Sequence, residues 1–323
     1  MTKDRLRSRD RKETENEQVG KDKTIVQILL LENPMGDNLC FSNAVANLLL
    51  NIPIFVSFLS EKSGEMEQLL ENNSIIRELK NLSCLPNFSN SSTRNLRSAV
   101  HQDCIKNRQS RTFDDKKQHD AGEFLLSIFE HIFKNLPPSN NIDEKMFGGL
   151  LQESLECRCG YVKELPIQKL PEINMIPIEG NSIQACIDDF FENEETDVMC
   201  SECQNPHLIK KTKIINEPTT LLIQLKRYSY EREETIQRKR QDNIPISKEI
   251  RLAQGSSFTV SSILNHFGDS PEEGHYNILI YDEAKDSFVL ADDLHVNQNV
   301  KISSDFQCAS YIFVYTKNDS YNY

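Results

Sequence analysis

A cysteine stands at the start of a predicted helix, where the backbone itself favours a reactive thiolate. Cys40 opens an apolar stripe with the 3.6-residue period of a helix face, and Gly36, Asp37 and Asn38 before it are residue types that favour turns and helix caps. The first turn of a helix carries unpaired N–H groups and the positive end of the dipole, which stabilise a thiolate. Cys40 is therefore a candidate nucleophile, and a small buried core residue is the alternative at this point.

A histidine and two acidic residues late in the chain supply the other residue types of a thiol hydrolase. His275 opens an apolar run that indicates a strand, and Asp292 and Asp293 follow the next such run. Histidine serves as general base and acid toward a cysteine nucleophile, and a carboxylate orients its imidazole. The two runs are typical of one hairpin, so the pattern predicts His275 beside an aspartate and opposite Cys40.

These stretches resemble the cysteine box and the histidine box of the ubiquitin-specific proteases, a family of papain-like cysteine deubiquitinases. Three further stretches resemble family motifs in the family's order: 118–125 (QHDAGEFL), 218–228 ending in LKRY, and 310–315 (SYIFVY). The ordered matches extend from about residue 33 to residue 316, so the resemblance covers nearly the whole chain.

The resemblance implies an α+β, papain-like cysteine protease fold with a helical thumb, an antiparallel-sheet palm and zinc-ribbon fingers. We expect the catalytic domain over 24–323, divided into a helical lobe (24–150), fingers (151–216) and a strand lobe (217–323). Apolar periodicity independently predicts helices in the first part and strands in the last. The helix candidates are 41–52, which Pro53 ends, 65–80, 93–106, and 119–136, which Asp120 caps.

Four of the nine cysteines form two close pairs. Cys157 and Cys159 make the first pair, and Cys200 and Cys203 follow about forty residues later. Two such pairs predict a structural zinc site, because four thiolates can hold two hairpins together with little hydrophobic core. The fingers of the resembled family carry a zinc ribbon, usually with Cys-x-x-Cys as its first knuckle. The Cys-x-Cys spacing here leaves a degenerate ribbon of four free thiols as the alternative.

The remaining composition sets limits on location and partners. The 323 residues are 38% hydrophobic with a net charge of −12, which argues against nucleic-acid binding and fits a basic partner. No apolar run approaches the roughly 18 residues that span a bilayer, and no signal-peptide segment opens the chain, so we expect a cytoplasmic and/or nuclear protein without membrane contact. Residues 1–23 are poor in apolar side chains and predict a disordered, charged tail.

The resemblance implies a cysteine-type deubiquitinase that hydrolyses isopeptide or thioester-accessible bonds at the C-terminal glycine of ubiquitin. Cys40 attacks as a thiolate, His275 passes its proton to the leaving amine, and Asp292 orients the imidazole. Asp293 is expected to face the other way, because successive strand side chains alternate, and to act as an auxiliary residue. Ubiquitin and ubiquitinated proteins are the implied partners, and the sequence leaves the oligomeric state open.

The loop before Cys40 departs from the family pattern where the oxyanion is stabilised. The family usually has asparagine five residues before the cysteine and glycine three before it, but Met35 and Asp37 occupy these positions. Asn38 is the surviving candidate donor, together with backbone N–H groups, and Asn33 stands seven residues before the cysteine. Losing one such donor costs roughly 100- to 1000-fold in turnover.

Three alternatives to a deubiquitinase stay open at this point. The altered loop favours a catalytically impaired pseudo-protease that binds ubiquitin without cutting it. The catalytic boxes are also compatible with a protease for another ubiquitin-like modifier. A zinc-ribbon scaffold with an incidental cysteine is the third alternative, and it must treat all five ordered motifs as accidents.

Overall fold

The computed structural model describes residues 26–114, 117–137, 140–169, 174–176, 182–230, 237–252, 255–270 and 273–318, so the expected disordered tail lies outside the described residues. Helices predominate in the first half of this described part and strands in the second. No single described helix is long and apolar enough to cross a membrane; α1 and α2 together meet that test only as a pair bent by 83°. The helices are α1 Cys40–Leu49, α2 Pro53–Ser60, α3 Gly64–Asn72, α4 Ser74–Ser83, α5 Arg94–Lys106, α6 Ala121–Lys134, α7 Ile142–Phe147, α8 Ile183–Phe191 and α9 Ser304–Ala309.

The described strands form two larger sheets and two strand pairs. In chain order they are β1 Leu30–Leu31, β2 Asn90–Ser91, β3 Leu150–Glu156, β4 Val162–Glu164, β5 Gln168–Lys169, β6 Asn174–Ile176, β7 Glu194–Thr196, β8 Leu208–Asn216, β9 Thr220–Leu225, β10 Tyr228–Tyr230, β11 Gln237–Lys239, β12 Glu249–Arg251, β13 Ser257–Ser270, β14 Glu273–Asp282, β15 Ser287–Asp292, β16 His295–Val300 and β17 Ser310–Lys317. The large sheet has the order β16-β15-β14-β13-β17-β9-β6, with β12 beside β13. The finger sheet has the order β4-β3-β8-β7, with β5 beside β3.

The large sheet separates two hydrophobic clusters, because side chains alternate between its faces. Along β17, Ile312 and Val314 belong to the cluster that contains the helical lobe, the part of the chain formed by α1–α7. Phe313 and Tyr315 belong to the cluster on the opposite face, which is covered by α8. Neighbouring strands of this sheet pair antiparallel except for β6 and β9, which are parallel. The sheet therefore provides a rigid support on which α1 rests.

Helix α1 runs through the centre of the helical lobe, and all ten of its residues are buried. Its predicted apolar stripe packs against α6 and against β13–β15 of the large sheet. Its polar side chains are buried too, because each has a fixed partner: Ser42 Oγ donates to Leu39 O at 2.9 Å, and Asn47 Oδ1 accepts from Leu29 N at 3.0 Å. The helix is thus held from its polar as well as its apolar side.

Helix α1 begins at Cys40, as predicted, but its cap differs from the prediction. The N-cap residue is Leu39, which offers no side-chain hydrogen bond, whereas the expected cap types Asp37 and Asn38 lie before it. Asn38 has a positive φ of 52°, which places it in a tight turn and not in a capping conformation. The Leu39 N–H donates instead to Asn33 Oδ1 at 2.8 Å. A residue from outside the helix therefore does part of the work of a cap.

Two helix boundaries and one further helix also differ from the prediction. Pro53, expected only to end the first helix, begins α2, because proline is well suited to the first helical position. The expected helix 65–80 is divided into α3 and α4 at Asn73, whose side chain caps α4 by accepting from Ile76 N at 3.0 Å. Helix α7 was not predicted.

Candidate active site and cysteine cluster

The fold brings Cys40, His275 and Asp292 together from three elements. Strand β14 carries His275 near its start, β15 ends at Asp292, and the two strands form an antiparallel hairpin. Helix α1, which begins with Cys40, packs against this hairpin. The His275 Nε2 atom lies 2.5 Å from Asp292 Oδ1. All three residues expected from the sequence to form a triad thus meet at one place.

The charges of the site favour a protonated imidazole. The hydrogen bond to Asp292, followed by the interaction with the Cys40 side chain, raises the pKa of His275 to about 10. The same hydrogen bond to His275 lowers the pKa of the Asp292 carboxyl. Near neutral pH the hairpin therefore holds an imidazolium paired with a carboxylate, and a neighbouring cation stabilises a thiolate. The side chains of His275 and Asp292 are 40% and 33% exposed, so a substrate can reach them.

Asp293 joins the hairpin to the segments around Cys40. Its carboxylate accepts from Asn43 Nδ2 at 2.8 Å and from Asn33 Nδ2 at 2.9 Å. Its carbonyl accepts from Leu31 N at 3.0 Å. One residue of the hairpin thus holds α1, the loop before α1 and strand β1 in register.

The orientation of Asp293 differs from the expectation. Asp293 lies in the turn after β15 with φ of 52°, so the alternation of strand side chains no longer applies to it. Oxygen atoms of Asp292 and Asp293 and a ring nitrogen of His275 all lie within 4.8 Å of one another. Asp293 therefore does not face away from the site, although its hydrogen bonds are made to the two asparagines and not to the imidazole.

The carboxylate of Asp37 is paired with a cation on α5. Arg94 Nη2 donates to this carboxylate, and the ion pair raises the pKa of the guanidinium. Arg97, which is only 4% exposed, donates from Nη1 to Asp37 O at 2.6 Å. The loop before Cys40 is thus held against α5 at Asp37, the residue that replaces the glycine usual in the family. The negative charge of Asp37 is neutralised by this ion pair.

Asn38 and the backbone at Cys40 are the candidate oxyanion donors. The Leu39 N–H is occupied by Asn33, so it cannot donate elsewhere without breaking that bond. Met35, at the position where the resembled pattern has asparagine, is fully exposed. Within the described part of the chain, the Asn38 side-chain amide has no hydrogen-bond partner and is free to donate.

Gln118 and Asp120 connect the helical lobe to the strands of the site. Gln118 Oε1 accepts from Gly274 N at 2.7 Å, one residue before His275. Asp120 caps α6, as predicted, and also accepts from the hydroxyl of Tyr311 on β17 at 2.9 Å. Burial raises the pKa of Asp120. These contacts fix the first turn of α6 against the large sheet and so fix the distance between the lobes.

His266 supports the backbone beside His275 and is structural. It is fully buried, and its Nδ1 lies 2.5 Å from the Tyr228 hydroxyl. Burial, with the Lys239 charge as a second cause, lowers the pKa of His266 to about 3, so its ring is neutral. A Cβ atom on Gly274, where φ is 151°, would lie 2.5 Å from His266 Nε2. Only glycine therefore fits at the position before His275.

Cys157, Cys159, Cys200 and Cys203 meet at the ends of two adjacent hairpins. The β3–β4 hairpin carries the first pair, the loop between β7 and β8 carries the second, and β3 pairs with β8. All four sulfurs lie within 4.8 Å of one another; Cys157 and Cys203 are 3.6 Å apart, and Cys159 and Cys200 are 3.7 Å apart. Zinc with tetrahedral bonds of about 2.3 Å separates its sulfur ligands by about 3.8 Å, so this cluster fits the ion.

Local turns accommodate the short first knuckle. Gly160, with φ of 94°, donates its N–H to Cys157 O at 2.9 Å, and Cys157 N donates to Tyr161 O at 2.8 Å. In the second knuckle, Cys200 N donates to Asn205 O at 2.8 Å. Each knuckle is thus closed by its own backbone. The Cys-x-Cys spacing does not prevent the four thiols from converging.

A comparison with known protein families matches residues 33–315 to the family described as ubiquitin carboxyl-terminal hydrolase. The match covers most of the chain and includes the three clustered residues Cys40, His275 and Asp292 as well as the four-cysteine cluster. The chain belongs to the ubiquitin carboxyl-terminal hydrolase family. The resemblance inferred from the ordered motifs is therefore confirmed.

Relatives from this family are distant in sequence and longer than this chain. Ubiquitin carboxyl-terminal hydrolase 23 of Arabidopsis thaliana is 25% identical over 233 residues, which cover 65% of this chain and 26% of the relative. Ubiquitin carboxyl-terminal hydrolase 36 of Drosophila ananassae is 24% identical over 307 residues, which cover 86% of this chain and 27% of the relative. The chain thus spans about a quarter of the length of these two relatives.

Solved structures of a DUB module share the fold. The Ubp8/Sgf11/Sus1/Sgf73 DUB module of SAGA, bound to ubiquitin aldehyde, aligns with a TM-score of 0.70 at 19% identity, covering 91% of this chain and 70% of that chain. The same module bound to monoubiquitin aligns with a TM-score of 0.71, also at 19% identity, covering 91% and 69%. The predicted α+β fold with a helical lobe, an antiparallel sheet and a finger extension is confirmed.

The asparagines that complete the site were not predicted from the sequence. Asn43, Asn47 and Asn51 recur every fourth residue; the first two lie on α1, and Asn51 follows the end of this helix. Asn47 and Asn51 bond the backbone of Leu29 and Gln27, and Asn43 reaches Asp293. The four-residue spacing of these asparagines could have indicated their role, because polar side chains on a buried helix require fixed hydrogen-bond partners.

Proposed function

We propose that this chain is a cysteine-type deubiquitinase that hydrolyses isopeptide or thioester-accessible bonds at the C-terminal glycine of ubiquitin. The observation that carries the proposal is the cluster of Cys40 at the start of α1, His275 on β14 and Asp292 at the end of β15, in a chain of this family. The contact between His275 and Asp292 and the raised pKa of the imidazole supply the charge state that thiol hydrolysis needs.

In the proposed reaction the Cys40 sulfur attacks the carbonyl carbon of the terminal glycine as a thiolate. The imidazolium of His275 gives its proton to the leaving amine as the C–N bond breaks, which leaves a thioester on Cys40. The neutral imidazole then takes a proton from water as the water oxygen attacks the thioester carbonyl. The thiolate leaves, and the glycine carboxylate is released. Asp292 keeps the imidazole oriented throughout.

Asn38 and the N–H of Cys40 are proposed to stabilise the oxyanion that forms in both steps. This assignment is supported by the free side-chain amide of Asn38 and by the occupation of the Leu39 N–H. Asp293 is proposed as an auxiliary residue that positions this loop, since it bonds Asn33 and Asn43. The ion pair between Asp37 and Arg94 weakens the case for an impaired pseudo-protease, because the carboxylate is neutralised.

Cys157, Cys159, Cys200 and Cys203 are proposed to hold one structural zinc ion. The convergence of the four sulfurs and the pure thiolate donor set support this assignment. Bound zinc would cross-link the two hairpins of the finger sheet, and these residues take no part in the chemistry at Cys40. We also propose the divisions 24–150, 151–216 and 217–323 for the helical lobe, fingers and strand lobe of the catalytic domain.

Ubiquitin and ubiquitinated proteins are the proposed partners, because the solved neighbours are bound to ubiquitin or ubiquitin aldehyde. A cytoplasmic and/or nuclear location is proposed from nine cysteines that form no disulfide, which fits a reducing compartment.

Reporters with a fluorogenic amide at the C-terminus of ubiquitin and of ubiquitin-like modifiers test the substrate. We expect turnover of the ubiquitin reporter that is lost in Cys40→Ala. Faster turnover of another modifier would assign the enzyme to that modifier, and binding without turnover would establish the pseudo-protease.

A further inference from the structure

Two large apolar side chains are exposed on turns next to the cluster at Cys40. Met35 is fully exposed, and Leu294 is 45% exposed. Met35 lies in a turn that Asp37 N closes by donating to Pro34 O at 2.9 Å, and Leu294 lies in the two-residue turn between β15 and β16. Turns usually carry glycine, proline or small polar residues at such positions. The requirements of the turns therefore do not explain these two side chains.

A hydrogen bond at the proposed active site holds the two turns together. Asn33, which directly precedes the first turn, donates from Nδ2 to the carboxylate of Asp293 at 2.9 Å. Asp293 directly precedes Leu294, and its carbonyl accepts from Leu31 N at 3.0 Å. Both exposed side chains are thus carried by fastened turns on one rim of the site.

The large sheet places this rim on one side of His275 and the contact between the lobes on the other. Strand β14, which carries His275, lies between β13 and β15. Beyond β13, Asp120 at the start of α6 bonds Tyr311 on β17. Beyond β15, the turn at Leu294 leads into the edge strand β16. A substrate that crosses the sheet at His275 thus meets packed elements on one side and the exposed turns on the other.

The proposed reaction brings two different partners to these two sides. One is the terminal glycine of ubiquitin, which has no side chain and suits the side where α6 packs on the sheet. The other is the lysine whose amine takes the proton from His275, and this lysine belongs to a protein that needs the open side. The four-carbon stem of lysine keeps that protein within one side-chain length of the bond that is cut. Residues beside the lysine therefore lie close to the rim.

We infer that Met35 and Leu294 form an acceptor surface, which receives the protein that carries ubiquitin and favours large apolar residues beside the modified lysine. Contact removes apolar groups of both proteins from water, and each methylene buried in this way strengthens binding about fourfold. The inference rests on the proposed function and extends it to the choice of acceptor. It also gives Met35, which replaces the asparagine usual in the family, a role of its own.

Two isopeptide conjugates test this preference with the full chain. Ubiquitin is joined to the lysine of a fluorescent peptide in which that lysine lies between two leucines, or between two serines in the matched substrate. We expect kcat/KM to be about three- to tenfold higher for the leucine conjugate. Equal values, or faster hydrolysis of the serine conjugate, would overturn the inference.

Variants of the rim locate the source of the preference. Met35→Gln keeps the length of the side chain, and Leu294→Gln lies in an exposed turn, so both should fold. Each should lower the ratio of the two kcat/KM values by about two- to fivefold. The control is Ile105→Gln, because Ile105 is 51% exposed but lies in the last turn of α5, whereas Arg94 contacts the loop from the first turn. An unchanged ratio in both rim variants, or an equal fall in Ile105→Gln, would overturn the inference.

A binding measurement separates this inference from the proposed function. Fluorescence anisotropy gives the affinity of Cys40→Ala for each intact conjugate, and we expect tighter binding of the leucine conjugate. The added variant Met35→Gln should remove most of that difference. Preferential binding without hydrolysis by the parent protein would contradict the proposed function and leave the acceptor surface standing. Hydrolysis without preference would overturn the acceptor surface alone, and the absence of both hydrolysis and preferential binding would overturn both.

Discussion

The loop before Cys40 departs from its family in residue type, the first cysteine-bearing hairpin departs in cysteine spacing, and the two regions are held together in different ways. The loop is fastened by side chains distant in sequence: Asn33 and Asn43 bond Asp293, and Arg94 bonds Asp37. The hairpins are closed by local backbone turns around a small cluster of buried residues, namely Leu155, Cys157, Cys200 and Leu208. The loop is therefore stabilised by the rest of the fold, whereas the hairpins depend on their own thiols.

Because of this difference, we expect the loop before Cys40 to tolerate substitutions better than the four-cysteine cluster does. A loop that is anchored at several points can lose one family residue, as at Met35, because other contacts still define its shape. A four-thiolate cluster has few other contacts, so each cysteine and the proposed metal carry much of its stability. Changes in the fingers should therefore disturb structure more than chemistry, and changes near Cys40 should disturb chemistry more than structure.

Removal of the proposed zinc should have the largest structural effect. Structural zinc contributes about 10–16 kcal/mol of binding free energy in small domains, so the hairpins should lose order without it. We expect one zinc per chain by elemental analysis, and fast hydrogen exchange in β3, β4, β7 and β8 after chelation or in Cys203→Ser. Helix α1 should stay protected, and Cys84→Ser, an exposed cysteine outside the cluster, is the control. Zinc-free protein with four titratable thiols would contradict this account.

Asp292→Asn should have the largest chemical effect. Loss of an orienting carboxylate lowers turnover by up to roughly 10⁴-fold in a serine triad, and we expect a smaller loss, about 10- to 1000-fold, for a thiolate–imidazolium pair. Affinity for ubiquitin should be nearly unchanged, because the carboxylate acts on His275. Stopped-flow turnover and a binding titration on the same preparation separate the two effects.

The pH profile of the same variant tests the cause of its defect. The bond to Asp292 is the first cause of the raised pKa of His275, which is about 10. Because the pKa of His275 is higher in the folded protein than in the unfolded chain, protonation of this residue stabilises the fold. That contribution to the free energy of unfolding is fully present below the ordinary histidine pKa of 6.5 and is lost as the pH rises through about 10. In Asp292→Asn the alkaline limb of activity should therefore move to lower pH. An unmoved limb would show that Asp292 does not set this protonation.

Asp293→Asn should lower stability more than it lowers the chemical step. Its amide would face the amides of Asn33 and Asn43, and an unsatisfied buried donor costs about 1–3 kcal/mol in the free energy of unfolding. Urea denaturation measures this loss, with Asp305→Asn on the short helix α9 as a control. If Asp293→Asn has a lower turnover than Asp292→Asn, the assignment of the triad carboxylate is wrong.

Substitutions at the Asp37–Arg94 pair should have the smallest effects and a definite order. Asp37→Asn should change kcat/KM by less than about twofold, because the charge that it removes is already paired. Arg94→Gln should cost more, since it leaves a carboxylate unpaired three residues from Cys40. The double variant should recover activity relative to Arg94→Gln, and a double-mutant cycle measures that coupling. No recovery would mean that Asp37 does not influence the reaction through its charge.

The proposed catalytic and metal-binding residues could be predicted from the sequence because each lies in a short motif. Cys40, His275 and Asp292 follow from local patterns, and the four thiols follow from two close pairs. The structure also places His275 beside Asp292 and brings the four thiols together, as predicted. A residue type that a reaction requires can be found in a short sequence motif, even when the surrounding fold is not known in detail.

The supporting contacts could not be predicted because they join residues that are far apart in the sequence. The bond between Asn33 and Asp293 crosses 260 positions, and the one between Gln118 and Gly274 crosses 156. Helix ends depend on similar competition: Asn73 interrupts an apolar pattern because its side chain caps the next turn. Apolar periodicity alone does not show whether a helix continues through such a residue or is interrupted by a new N-cap there.

The most direct test of the account is reaction of the full chain with ubiquitin that carries an electrophile at its C-terminus. We predict one covalent adduct per chain, mapped by peptide mass spectrometry to Cys40. It should be absent in Cys40→Ala and formed more slowly in Asp292→Asn, while Cys84→Ser reacts like the parent protein. An adduct that persists in Cys40→Ala, or no adduct with folded protein, would contradict the proposal that Cys40 is the nucleophile of a deubiquitinase.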